Sequence, residues 1–335
     1  GFNMDLMKDL TRLVDAFGPS GCENEISQVI EELAKPYVDE ISRDTLGNLI
    51  CRRKGSGPKV MFSAHMDSIG LVATHIDEKG FVHVGALGGV SAKKVLYSPV
   101  RFKNGVKGLI CTENEADLDK LKVSDLLIDI GAADEKEAEK LVQVGDAAVY
   151  DMPIRTAFGR VISPYLDDRI ACLVLLMAMK QLGETDNDLY FVFSVQEEVG
   201  ARGAKTAAWA ICPDYGIAVD VTGADDEPGS KHQASSLCGK GAAVKVMDRS
   251  VICPPALVEK LMALAAEKGI PAQRDVLQAG GTDAGPIQAA RSGVCAGGIS
   301  IPCRYIHTPT EMVDMNDVKA CADLAVAFAA CQPEK

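Results

Sequence analysis

The sequence predicts an α/β protein: a three-layer domain of alternating strands and helices, interrupted by a small β-rich insertion. Three observations carry this. Apolar strand-like runs alternate with helical runs in residues 4–69 and again in 158–335, the signature of helices packed on a sheet. Residues 70–157 between them hold short strand-like runs closely punctuated by glycine. The length of 335 residues suits two domains better than one. The outer, discontinuous domain is therefore built from both halves of the chain, and 70–157 is inserted into it.

In order along the chain, residues 4–17 (MDLMKDLTRLVDAF) place Leu6, Leu10, Leu13 and Val14 on one helical face. Gly1-Phe2-Asn3 ahead of Met4 reads as an appended leader and is set aside. GPSG breaks the first helix, and 23–35 forms a second amphipathic one. Strand-like runs follow at 48–53 and 59–64. The insertion offers LVATHID, FVHVG, PVRFKNG, VKGLICT and DAAVYD as strands and 134–143 as a helix. Residues 168–182 are apolar all round, which marks a buried helix. Then come strand 188–195, helix 202–210, strands 215–221 and 241–247, helices 255–268 and 283–291, strand 294–301 and helix 316–331.

Composition narrows the function classes. Hydrophobic residues make up 47%, charged residues 24% and aromatics 5%, an ordinary globular balance. The net charge of −12 argues against nucleic acid as a partner, which needs a basic surface. No run of 18 or more apolar residues predicts a membrane span, and no signal peptide is read. The 11 cysteines are an odd number without any CxxC, and most of them sit in apolar company. They read as small buried hydrophobes of a cytoplasmic protein. No GxSxG elbow or P-loop is present, and GKGAAV (239–244) lacks the third glycine of a dinucleotide fingerprint.

The chemistry is concentrated at the ends of strands. His65 follows VMFSA, Glu197 and Glu198 follow YFVFSVQ, Asp220 follows GIAV, and His307 follows GISIPCRYI. In an open α/β sheet, ligands bind outside the carboxyl ends of the strands, so these distant residues should converge. Asp167 and Asp168 join them at the start of the buried helix, where first-turn N–H groups favour negative charge. Clustered carboxylates repel, and a cation is the usual remedy. Imidazole plus carboxylate without thiolate fits zinc first, with cobalt or manganese as alternatives. One tetrahedral ion cannot use so many carboxylates; two ions sharing one carboxylate can. In HMD (65–67), the side chains at i and i+2 face the same way, so Asp67 is placed to orient His65. Of the adjacent glutamates, one can hold metal while the other faces the attacking water. Alone, HxD reads as structural, EE as a solvated turn, and DD or GGTDAG (280–285) as helix caps. Their joint placement at the strand ends of one domain outweighs those readings. His75, His83 and His232 lie outside it.

Seven stretches, GPSGCE (19–24), SAHMDSIGLV (63–72), LDDRIAC (166–172), SVQEEVGARGA (194–204), AVDVTGADDEPG (218–229), GGTDAGPIQAARSGV (280–294) and ISIPCRYIHTPTEMVD (299–314), resemble the M42 family of metallo-aminopeptidases, nearly end to end. The resemblance implies a zinc-exopeptidase-like catalytic domain with an inserted PDZ-like domain that mediates pairing. It implies His65, Asp167, Glu198, Asp220 and His307 as metal ligands, Asp167 bridging two ions. Glu197 would be the general base, and Asp67 the catalytic aspartate behind His65. It also implies peptide substrates, and dimers assembling to a dodecamer around an interior chamber. Two departures stand out: Ser68 replaces an acidic residue common after HMD, and CTENEADLDK (111–120) replaces a more apolar stretch. Rival readings are another two-metal amidohydrolase or deacylase, an endoglucanase-type glycosidase and a non-catalytic peptide-binding scaffold. A glycosidase needs two carboxyls spaced across the bond and no imidazoles, a poor fit to EE plus His65 and His307. A scaffold would be expected to have lost a ligand or the base.

Overall fold

The computed structural model describes residues 3–331. Two helices come first, α1 (Met4–Asp15) and α2 (Asn24–Ala34), then strands β1 (Glu40–Arg43), β2 (Leu49–Arg53) and β3 (Lys59–His65). Next are β4 (Gly70–Ile76), β5 (Val82–Leu87), α3 (Ala92–Val95), β6 (Pro99–Phe102), β7 (Lys107–Cys111), β8 (Leu127–Asp129), α4 (Glu135–Glu139) and β9 (Ala147–Tyr150). The chain continues through β10 (Arg155–Ala157), β11 (Arg160–Ser163), α5 (Leu166–Gln181), β12 (Asp188–Ser194), α6 (Arg202–Ile211) and β13 (Tyr215–Gly223). It closes with β14 (Ala242–Met247), α7 (Pro255–Lys268), β15 (Ala272–Val276), α8 (Ala284–Gln288), β16 (Cys295–Arg304), β17 (Glu311–Asp314) and α9 (Met315–Ala330).

Strands β4 to β9 close a barrel in the order β4-β5-β8-β7-β6-β9. The remaining strands form one 11-stranded sheet with the path β1-β2-β12-β3-β13-β16-β17-β11-β10, and β14 and β15 extending from β16. Its centre, β12-β3-β13-β16, is parallel. Parallel strands are buried on both faces, and the side chains show it. Val60, Phe62 and Ala64 of β3 join one core with α1, α2, α5, α7 and α9. Met61, between them, joins another with Ala204, Ala207 and Ala208 of α6 and Ile287 of α8. Period-two alternation thus sends neighbouring residues to opposite helix layers.

Local sequence explains the element ends. Leu10, Leu13 and Val14 bury one face of α1. Asn3, set aside with the leader, caps that helix: its side chain accepts from the Asp5 and Leu6 N–H groups, while Gly1 and Phe2 lie outside the described residues. The barrel's strands end at Tyr150, and Arg155–Ala157 pairs with β11 in the large sheet. Short strands escaped the sequence reading: β1, β11, β15 and β17 are each four or five residues long, too short to show periodicity. The helix expected over 283–291 shrinks to Ala284–Gln288, with Pro286 inside its first turn.

Phe62 is the centre of the larger core. Its ring stacks on Phe191 at 5.4 Å between centroids and meets Phe328 edge-on at 6.4 Å. Phe62→Ala should therefore lower unfolding stability by about 3–5 kcal/mol, read from the midpoint of urea denaturation. A loss under 1 kcal/mol would show that this contact does not anchor the core.

Candidate metal centre

The sheet opens where it is needed. β12 lies on one side of β3 and β13 on the other, so successive connections leave in opposite directions, the arrangement that forms a crevice at the carboxyl ends. β3 and β13 pair only as far as Ser63 and Ala218. Beyond that point His65 and Asp220 face the gap.

His65 is 1% exposed. Its Nε2 lies 2.9 Å from Asp167 Oδ1, 3.2 Å from Glu197 Oε2, 3.7 Å from Asp220 Oδ1 and 3.8 Å from Glu198 Oε1. His307 Nε2 lies 2.9 Å from Asp167 Oδ2 and 3.0 Å from Glu198 Oε2. Asp167 therefore turns one oxygen to each imidazole. Three overlapping groups have donor atoms within 4.8 Å of one another: His65, Asp167, Asp168 and Asp220; His65, Glu197 and Glu198; and Asp167, Glu198 and His307. All the residues singled out by the sequence come together, and His75, His83 and His232 stay away. The rings of the first two meet at a tilt of 60° in the barrel, 5.3 Å between centroids, and the third pairs with Asp225 at the surface.

The electrostatics follow from burial and crowding. Burial pushes Glu198 up to about 8 and Asp220 to about 6, with Asp167 adding to both. Burial, with help from neighbouring carboxylates, holds Glu197 well above the usual range. Burial would also raise Asp167, but hydrogen bonds from His307 and His65 override it and hold its carboxyl low. Burial disfavours charge on His307, yet Asp167 and Glu198 push it up to about 12. Both rings thus favour a proton between carboxylates, the place a cation would take. Three buried carboxylate oxygens in and around the cluster, Asp168 Oδ1, Glu198 Oε1 and Asp283 Oδ1, have no hydrogen-bond partner. A donor set of two imidazole nitrogens and several carboxylate oxygens fits a divalent ion of the zinc type.

Further carboxylates hold the frame. Asp67 does not extend β3, which ends at His65. Its oxygens accept from the N–H groups of Glu197 at 3.0 Å and Glu198 at 3.2 Å, and from the Ser20 hydroxyl at 2.6 Å. Its backbone carbonyl lies 3.0 Å from His65 Nδ1 and its carboxylate 3.3 Å from the same nitrogen, so Asp67 orients the imidazole and shapes the glutamate turn together. Asp168 is no helix cap: its Oδ2 accepts from the His65 N–H at 3.1 Å, and the Asp167–Asp168 peptide is cis. Asp283 in GGTDAG is not a side-chain cap of α8 either. It accepts from the hydroxyls of Ser63 at 2.7 Å and Ser194 at 2.6 Å. Sequence reasoning missed Glu311, which is 2% exposed and accepts from the N–H of Asp167 at 2.9 Å and of His307 at 2.6 Å. A glutamate opening an apolar strand (EMVD) four residues after His307 was the available signal.

The barrel reaches the site through Gly88 and Gly89. A Cβ on Gly88 would stand 3.0 Å from Glu198 Cβ, and one on Gly89 3.1 Å from His307 Nδ1. Ser68 is fully buried and donates to the Ile69 carbonyl. Residues 111–120 lie on the barrel surface, mostly exposed. Beside the cluster lies a cavity of about 550 Å³, lined by Asp167, Glu197, Glu198, Asp220 and His307 at one end and by uncharged residues beyond.

A mixed sheet with a parallel centre, with imidazoles and carboxylates gathered at the carboxyl ends of those central strands beside a cavity of ligand size, defines a hydrolytic α/β enzyme. The profile of the M42 glutamyl aminopeptidase family matches residues 47–324. The chain is 37% identical over 338 residues to the lysyl aminopeptidase of Pyrococcus furiosus, covering 97% of this chain and 96% of that one. The solved aminopeptidase of the archaeon Desulfurococcus kamchatkensis superposes with a TM-score of 0.93 at 39% identity, covering 97% and 94%. The Pyrococcus horikoshii TET1 peptidase gives 0.89 at 31% identity, covering 97% and 99%, and that protein can assemble into a tetrahedron or a large octahedral shell. The chain belongs to the M42 family and is an aminopeptidase-type hydrolase.

Glu311 offers a direct test of the frame. Glu311→Gln turns one accepting oxygen into an NH₂ group facing a buried N–H. The expected cost is about 1–3 kcal/mol of stability, measured by denaturant titration. An unchanged midpoint would show that Asp167 and His307 are held by other contacts.

Proposed function

We propose that this aminopeptidase removes the N-terminal residue of peptides with two divalent ions per chain, zinc first, with cobalt or manganese as alternatives. The observation that carries the reading is Asp167, whose two oxygens face His65 and His307 separately. His65 and Asp220 would hold one ion, Glu198 and His307 the other, with Asp167 between them. Bound ions would supply Lewis acidity, lowering the pKa of a water molecule toward about 7 and polarising the scissile carbonyl. Glu197 takes the proton of the attacking water and returns it to the departing amine. Its side chain faces the cavity yet is only 11% exposed, which keeps that proton from bulk water. Asp67 fixes both glutamates through their backbone N–H groups, so base and ligand point differently although adjacent in sequence. A deacylase reaction would use the same carbonyl chemistry; the M42 relatives favour the peptide substrate.

The same reading assigns residues 4–69 and 158–335 to the catalytic domain and 70–157 to an inserted domain, PDZ-like in role, through which chains pair. A shell built from such dimers, up to a dodecamer, extends to this chain what related peptidases do. All 11 cysteines are free, and no helix among the described residues is long and apolar enough to cross a membrane. The free thiols support work on peptides in a reducing cytoplasm.

Three measurements test the proposal. Elemental analysis of metal-reconstituted protein should find two ions per chain, and chelation should abolish activity; one ion per chain would end the shared-carboxylate scheme. The two glutamates should fail differently. Glu198→Gln should weaken metal binding by roughly 10–100-fold or more and be partly rescued by added metal. Glu197→Gln should keep its metal and its KM while kcat falls at least ~100-fold. Equal metal loss in both variants would remove the division of labour. Light scattering should return an oligomer at micromolar concentration; a monomer would overturn the assembly scheme.

A further inference from the structure

We propose that the cavity beside the carboxylate cluster selects an uncharged, aliphatic N-terminal side chain, with Leu277 as its specificity-determining residue. The inference rests on the aminopeptidase reading and specifies its substrate class. A peptide whose scissile carbonyl lies among Glu197, Glu198 and His307 must place its first side chain in the same cavity. Beyond the cluster, none of the described lining residues is charged: Thr222, Ser250, Leu277, Thr282, Pro286 and Ile306 form the walls, with glycines between them. Leu277 spans this wall. One of its methyls would lie 3.6 Å from a Cβ built on Gly223, and the other 3.8 Å from one built on Gly280. Its isobutyl group therefore sits between two glycines that leave it uncovered on the cavity side.

Three charges buried behind the wall are committed to one another. Lys245, 1% exposed, lies 3.2 Å from both Asp248 and Asp275. The Thr222 hydroxyl donates to Asp275 at 3.0 Å, and the Ser250 hydroxyl donates to Asp248 at 2.8 Å. The hydroxyl protons of Thr222 and Ser250 thus point backward into the buried triad, while the Thr282 hydroxyl accepts from the Ala284 N–H. A glutamyl carboxylate in the cavity would find no donor in the Thr222 and Ser250 hydroxyls, and a lysyl ammonium no countercharge outside the cluster itself. Either ion would be desolvated without compensation, whereas an aliphatic side chain would meet Leu277 and Ile306.

The test is a kcat/KM panel of leucyl, methionyl, glutamyl and lysyl nitroanilides on the metal-reconstituted protein. Calorimetric binding of free leucine, glutamate and lysine gives a readout independent of turnover. Leucyl and methionyl substrates should exceed glutamyl and lysyl ones by at least roughly 100-fold, and leucine should bind tightest. Leu277→Arg should move the glutamyl-to-leucyl ratio at least about 10-fold toward glutamyl, with metal content unchanged. An active enzyme that prefers glutamyl or lysyl substrates overturns this inference and leaves the aminopeptidase reading intact. So does an unchanged ratio in folded Leu277→Arg. Should that variant not fold, the wild-type panel alone decides. Failure to cleave any N-terminal residue overturns both.

Discussion

Five carboxylate side chains, those of Asp67, Asp167, Glu197, Glu198 and Asp220, come within 3.8 Å of the nearly inaccessible His65 ring. Like charges in a poorly solvated place repel strongly, and each buried ion carries a desolvation cost of several kcal/mol on the order-of-magnitude scale. A fold can keep such a group only by surrounding it with donors and positive charge. Much of the local architecture follows. The sheet supplies the crevice, the two imidazoles supply positive charge, and loop backbone supplies N–H groups.

The carboxylates divide by what they accept. Asp67, Asp168, Asp283 and Glu311 take hydrogen bonds from backbone N–H groups or hydroxyls, and so set the shape of the loops that carry the others. Asp167, Glu197, Glu198 and Asp220 face the imidazoles and the cavity. Behind them stands Arg169, wholly buried. It donates to the carbonyls of Met66, Leu13, Ala16 and Gly18. Among the described residues no carboxylate pairs with it at contact, and it ties the end of α1 and the segment after it to the end of β3.

The groups that face inward were legible in the sequence because each follows an apolar run that reads as a strand, and such ends converge in an open sheet. His65, Asp220 and the glutamate pair needed only that rule. The supporting groups were not legible, because their partners are backbone atoms or hydroxyls far away in the chain. Asp283 has the spacing of a helix cap and only the fold brings Ser63 and Ser194 to it. Asp168 looked like a cap for the same reason. Glu311 opens a four-residue strand, too short to announce itself by alternation. The alternation of strand and helix revealed the large sheet, but four-residue strands such as β1 and β11 gain their order from neighbours rather than from their own pattern.

The sheet order also governs when the protein can become active. The neighbours of β3 are β12 and β13, which begin at Asp188 and Tyr215, and the last inward-facing imidazole arrives at His307. During synthesis β3 must wait, unpaired on both sides, while the barrel residues and α5 emerge. Contacts so distant in sequence close slowly. A chain still on the ribosome therefore holds His65 without Glu198 or His307. The capacity to cut peptides is withheld until synthesis has passed His307.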